Sequence, residues 1–199
     1  KLLEKELTQM RFETLKNQIN PHFMFNSLNV LSGLIDKNTT QAQQFIDEFS
    51  RIYRYVLETI EQPVTTLKEE LEFIRSYLFL QQIRYGDNLR YTLDIQSAML
   101  EFLLPPLSLQ ILVENAIKHN VIQESRPLTI QIRTEGDFLV VINDLQPKQS
   151  GHSTGVGLKN LEKRLSLITQ AIPEFRIVNT TYVARVPLTD QNSYASDYN

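Results

Sequence analysis

QINPHFMFNSLN, residues 18–29, places a histidine directly after a proline and three asparagines within ten residues. A helix beginning at Pro21 loses no hydrogen bond, because donors in the first helical turn have no intrahelical acceptor. Steps of about 100° per residue then bring Asn26, Asn29 and Gly33 within roughly 40° of His22, with Met24, Leu28, Leu31 and Ile35 on the opposite side. A polar stripe thus runs back to back with an apolar one. A lone helical histidine is more often a surface or capping residue than a functional one, so the weight of His22 depends on the rest of the chain.

On the N-terminal side, residues 1 to 20 are charged and helix-favouring, with Leu3, Leu7, Met10, Leu15 and Ile19 at three- to five-residue steps. That imperfect heptad reads as a signal-connecting helix that pairs with a copy of itself. On the other side, DKNTT at 36–40 supplies a turn with a threonine N-cap. A second helix follows over 41–60, with Phe45, Phe49, Ile52, Val56 and Ile60 at helical spacing. The two form an antiparallel hairpin whose apolar faces are too wide for a hairpin alone. A four-helix bundle made from two copies, and so a homodimer, is expected.

Gln62-Pro63 ends this pattern. Thr66 and Glu69 form a capping box for a helix running to Arg84 and stopped by Gly86. Beyond it the period changes from helical to alternating. Strands are read at 89–95, 128–134, 138–144, 175–179 and 182–188, with helices at 107–120 and 156–169 and a hairpin turn at Glu135-Gly136-Asp137. The fold class is therefore α+β: a helical hairpin followed by an α/β sandwich with helices on one face of a mixed sheet. The expected divisions are a connecting helix (1–20), a dimerisation hairpin (21–62), a catalytic domain (63–189) and a frayed polar tail (190–199).

Bulk composition narrows the function. With 42% hydrophobic and 22% charged residues the chain has an ordinary globular make-up, and a net charge of −3 with no basic run longer than two residues argues against nucleic acid as a partner. It has no cysteine, which removes disulfides, thiolate zinc sites and cysteine nucleophiles, and fits a reducing compartment; three histidines (His22, His119, His152) leave little for a histidine-rich metal site. No apolar run approaches the roughly 20 residues that span a bilayer. The opening KLLEKELTQMRFE carries neither an initiator methionine nor a signal peptide and reads as part of something longer.

Two further segments carry chemistry. In helix 107–120 the first half is apolar, and Glu114, Asn115, Lys118 and His119 crowd the second. Asn115 and His119 share a face, where an amide oxygen suits Mg²⁺, an ion that takes few protein ligands and completes its shell with water and phosphate. The polar loop that follows strand 138–144 closes with Gly155-Val156-Gly157-Leu158 at a helix start. There, glycines let phosphate oxygens approach backbone N–H groups at the positive end of the helix, and Lys159 adds charge. Lys163 and Arg164 read as solvated. Asn143-Asp144, ending the strand, is placed to bond an adenine amino group.

Taken in order, QINPHFMFNSLN, LPPLSLQILVENAIKHN and STGVGLKNLEKRL resemble the LytS-type sensor histidine kinases over nearly all of residues 10 to 188. The resemblance implies a Bergerat-fold ATPase domain and ATP-dependent autophosphorylation of His22. The phosphoryl group would pass to an aspartate of a response regulator receiver domain. It further implies Mg²⁺ at Asn115, phosphate contacts from Lys118 and His119, and lid glycines at Gly155 and Gly157 beside Leu158 and Lys159. Membrane attachment would come only through segments upstream, leaving this portion cytoplasmic beneath an inner membrane. Asn26, one turn past His22, is the expected phosphatase helper, aligning water against a phosphoryl group on the regulator.

The chain departs from the wider pattern at two points. Larger kinase families place an acid directly after the histidine, where this chain has Phe23; Glu114 is the candidate base in its stead. The adenine strand usually ends in aspartate then Asn-Gly, whereas this chain has Asn143-Asp144-Leu145. Either Asn143 replaces the acid, or Asp144 serves from a shifted register. A weak acid-free site leaves a second reading, a nucleotide-binding dimeric scaffold with reduced or lost kinase activity. Chaperone-like and DNA-processing relatives of the same ATPase superfamily carry an acid four residues before the metal asparagine; here that residue is Ile111.

Overall fold

The computed structural model describes residues 20–149 and 155–197. The expected connecting helix therefore lies, Asn20 apart, outside the described residues, as do residues 150–154 of the glycine loop.

Helix α1 (Pro21–Ile35) starts at the expected proline, and Asn20 caps it by accepting from the His22 N–H at 3.0 Å. Helix α2 (Thr39–Thr59) is capped by Asn38, whose side chain accepts from Gln41 N. The threonine cap expected in DKNTT is thus corrected to asparagine, the stronger N-cap of the two. The capping box at Thr66 and Glu69 forms as read and opens helix α3 (Leu67–Tyr85). That helix ends at Gly86 with φ of 59°, a left-handed value that suits glycine.

Five strands make the main sheet: β2 (Leu89–Asp94), β4 (Leu128–Glu135), β5 (Phe138–Asp144), β6 (Glu174–Val178) and β7 (Thr181–Pro187), in the order β2-β4-β5-β7-β6. Only β2 and β4 run parallel, so the sheet is mixed. Helices α3, α4 (Ser108–His119) and α5 (Val156–Ser166) cover one face. The core there joins Ile74 and Leu78 of α3, Leu109 and Val113 of α4, and Leu161 and Leu165 of α5 to Ile130, Ile132, Leu139, Val141 and Ala184 of the sheet. The other face stays open and charged: Glu174 pairs with Arg185 and Arg176, and Arg133 with Glu135. Alternation in β4 therefore reports a one-sided sheet, as a strand with one wet face should show.

Two features escaped the sequence pattern. Strands β1 (Thr65–Thr66) and β3 (Leu103–Leu104) pair antiparallel and tie the start of α3 to the segment before α4. The tail, expected to fray from Thr189, instead bridges Thr189 to Leu103 and continues as helix α6 (Gln191–Asp197), with Asp190 accepting from Asn192 N and Ser193 Oγ.

The hairpin does not stand clear of the sandwich. Phe45, Ile52 and Val56 of α2 are buried, largely against α3. Rings from three helices form a ladder, Phe23–Tyr77 at 5.3 Å, Tyr77–Phe73 at 6.4 Å and Phe73–Tyr55 at 4.7 Å. Much of the apolar face assigned to a four-helix bundle is thus covered within the chain. What remains exposed is Phe25, Leu28 and Ile35 on α1 and Ile46 and Leu57 on α2. Among the described residues no helix is long and apolar enough to cross a membrane.

Candidate active site

Helix α4 has an unusual beginning. Leu107, its N-cap residue, is buried and left-handed with φ of 66°, a conformation that a leucine holds only when its surroundings impose it. Leu107 offers no side-chain cap, and Glu70 of α3 supplies one. The Glu70 carboxylate accepts from Leu107 N at 3.1 Å and from Leu109 N at 3.2 Å. The helix that carries Glu114, Asn115, Lys118 and His119 is therefore fixed at its start by a residue far away in sequence.

From there the 3.6-residue period sorts α4 into flanks. Leu109, Leu112, Val113 and Ala116 face the sheet. Gln110 and Glu114 face the hairpin: Glu114 accepts from Asn20 Nδ2 at 3.2 Å and from Gln110 Nε2 at 3.5 Å. These residues share a small cavity with Phe23 and Tyr77. Burial raises the Glu114 pKa above the usual carboxylate range, and the Asn20 hydrogen bond and Lys118 oppose it only in part. Ile111 and Asn115 lie one turn apart toward α5, where a Cβ on Gly157 would meet Ile111 Cγ2 at 3.6 Å. Asn115 is half-buried, and its side chain has no hydrogen-bond partner among the described residues.

The polar end of α4 is stitched to the segment leaving β5. Lys148 N donates to His119 O at 3.1 Å, Gln146 N to Asn120 Oδ1 at 2.7 Å and Val121 N to Gln146 O at 2.8 Å. These bonds gather positive charge. Burial lowers the His119 pKa, and the nearby Lys118 and Lys148 lower it further. Lys148 is lowered by burial and then by Arg84. Lys118 and His119 were expected here; Lys148 and Arg84 were not, since neither lies in a motif and only the folded chain brings them near.

The register of β5 puts the two adenine candidates on opposite faces of the sheet. Leu139, Val141 and Asn143 alternate toward the helix layer, and Asn143 is buried. Its Nδ2 donates to Asp144 O at 2.8 Å, which leaves the amide oxygen as a neutral acceptor. Asp144 faces the open side and accepts from Thr129 N at 3.1 Å, so it is not brought to this site. Gly155 caps α5 with φ of 63°, where glycine is needed for its backbone. Leu158 packs toward the core, while Lys159 is exposed. Arg164, read from sequence as solvated, is instead half-buried and donates to Pro106 O at 2.6 Å.

His22 is exposed at the first turn of α1, and its Nδ1 lies 3.1 Å from Asn26 Nδ2. Among the described residues Nε2 has no partner. Phe23, the departure from the acidic pattern, anchors α1 by stacking on Tyr77. Asn20 joins the two halves of the site, since its oxygen caps the histidine helix and its nitrogen reaches Glu114.

Comparison with known proteins agrees with this layout. Residues 10–89 match the family model described as histidine kinase. A protein of Staphylococcus haemolyticus described as sensor protein LytS is 34% identical over 179 residues, which cover 81% of this chain and 30% of that one. A sensor histidine kinase/phosphatase LytS of Staphylococcus aureus strain Mu50 is 38% identical over 115 residues, covering 58% and 20%. The chain thus spans less than a third of the length of these curated relatives. A solved bacterial phosphotransferase superposes with a TM-score of 0.53 at 9% identity, over 89% of this chain and 95% of that one, and so shares its fold. The resemblance to LytS-type histidine kinases drawn from the three motifs is borne out.

Proposed function

We propose that this LytS-type chain is the catalytic portion of a two-component sensor histidine kinase, which uses ATP to phosphorylate His22 and passes the phosphoryl group to an aspartate of a response regulator. The observation that carries the reading is the Asn20 bridge, which seats the start of the histidine helix on Glu114, next to Asn115. Attack by Nε2 forms the N–P bond and breaks the bond between the γ-phosphorus and the bridging oxygen, so ADP leaves. A neutral ring attacking through Nε2 carries its proton on Nδ1, and Asn26 then turns its amide oxygen toward that proton. The proton that leaves Nδ1 passes by way of water to Glu114, which burial makes more basic. Asn26 also aligns water in the reverse sense, toward a phosphorylated regulator.

ATP lies between α4 and the glycine loop. Asn143 accepts from the adenine amino group. Lys118, His119 and Lys148 face the phosphates, with backbone N–H groups at Gly155 and Gly157. The donor set fits a sparsely held Mg²⁺. Among the described residues no group of three His, Cys, Asp or Glu side chains is placed to hold a metal, so Asn115 would give one oxygen, with phosphate and water completing the shell. The ion would supply charge neutralisation at the transferring phosphoryl group.

Phe25, Leu28, Ile35, Ile46 and Leu57 form the homodimer face, and residues 1–20 bring in the signal. The parent protein is anchored in the inner membrane by upstream segments, with this portion cytoplasmic. The neutral Asn143 favours a second reading, a dimeric nucleotide-binding scaffold with weak turnover. ATP affinity measured with and without Mg²⁺ separates productive binding from none. Wild type is expected to bind ATP more tightly with Mg²⁺, and Asn115→Ala to lose that gain, about tenfold or more by comparison with other lost metal partners. Equal affinities in all four measurements would remove Asn115 and the metal from the account.

A further inference from the structure

Glu70 is wholly buried, and its hydrogen-bond donors come from two different helical regions. The Tyr55 hydroxyl of α2 donates to Oε2, which also accepts from Leu107 N, while Oε1 accepts from Leu109 N. On the far side of the same junction, Arg164 of α5 holds Pro106 O, the carbonyl just before Leu107. Its positive charge favours the ionised form of Glu70, against the burial that raises the pKa. The hairpin, α3 and the start of the Asn115 helix meet at this carboxylate, and the helix after the glycine loop joins the same junction through Arg164 at Pro106 O.

We infer that Glu70 is a positioning residue which, through the Tyr55 hydroxyl, couples the hairpin to the two helices that hold ATP; the inference rests on the kinase reading above. The first turn of α4 contains a left-handed leucine and has no cap except this carboxylate, so it follows Glu70. A shift of α2 against α3 pulls on Tyr55 and is felt at Leu107, Leu109 and Pro106 together. Asn20, the cap of the histidine helix, is held on Glu114 in this arrangement.

Tyr55→Phe in the whole chain is the test. The ring keeps its stack on Phe73 and Glu70 keeps both N–H bonds, so the fold persists. The expected result is an unchanged ATP affinity and KM, with kcat for His22 phosphorylation lowered about tenfold or more, the size of one hydrogen bond to a charged group. Amide exchange should also quicken about tenfold at 107–111, far from residue 55 in sequence. Faster exchange confined to α2, with kcat unchanged, would show a purely local role and overturn the inference. If wild type itself puts no phosphoryl group on His22, the kinase reading fails; exchange at 107–111 then judges the coupling alone, and no change there overturns it.

Discussion

Glu70→Ala is expected to destabilise the protein by about 4 kcal/mol, the range found when one member of a buried charged network is removed. The substitution leaves Tyr55 Oη and the N–H groups of Leu107 and Leu109 without their acceptor, and Arg164 without the nearby negative charge. It also frees the left-handed Leu107 from the group that fixes it. Urea titration followed by circular dichroism reads the effect as a lower midpoint with the same slope. A loss under about 1 kcal/mol would mean that water or a neighbouring group replaces the carboxylate, against the complete burial seen for this residue.

The second large effect is expected at Glu114. Glu114→Gln keeps an oxygen to accept from Asn20, and so keeps α1 seated, but removes the proton acceptor. Autophosphorylation should fall by roughly 100-fold or more, the usual share of a general base, with ATP affinity intact. The direction of the pKa shift separates this from unfolding. Because burial raises the folded pKa above the unfolded one, the glutamate's contribution to stability is fully present below the unfolded pKa and is lost as pH rises through the folded pKa. At neutral pH the glutamine variant therefore escapes the cost of a buried charge and should melt no lower than wild type. In wild type the acid limb of the pH–rate profile should lie above the ordinary carboxylate range. Full retention of activity in Glu114→Gln would remove it as the base.

How far the sequence could be read follows from the range of the interactions. Thr66 with Glu69, Gly86, the alternation through β4 and the apolar run of β5 are local signals, and each element formed where it was expected. The two-residue strands β1 and β3 are too short to carry a period. Asn38 displaced the threonine cap because several capping residues stand side by side in DKNTT. Motifs picked out Asn115, His119 and the glycines as candidates, and strand parity places Asn143, not Asp144, on the helix side of the sheet. Phe23 was a departure without a reason until its stack on Tyr77 became visible. Glu70 lay hidden in an ordinary Lys-Glu-Glu run, since nothing local distinguishes a carboxylate that caps a helix 37 residues away.

Beside the aromatic stacking on α3, these long-range contacts give the hairpin two hydrogen-bonded attachments to the sandwich among the described residues, Tyr55 on Glu70 and Asn20 on Glu114. In the proposed kinase, a signal entering through residues 1–20 would reach His22 and the helices assigned to ATP by way of both. The exposed apolar stripe on α1 and α2 is the face proposed above for a second copy. Docking within the chain and the proposed pairing between chains thus use different sides of one hairpin.

The most direct test is incubation of wild type and His22→Ala with ATP labelled at the γ-phosphate, followed by acid and base treatment of the protein. Label on wild type alone, lost in acid and stable in base, is the predicted result, as a phosphorylated imidazole requires. Equal label on both proteins, or none on wild type in the presence of Mg²⁺, would contradict the assignment of His22 as the phosphoryl acceptor.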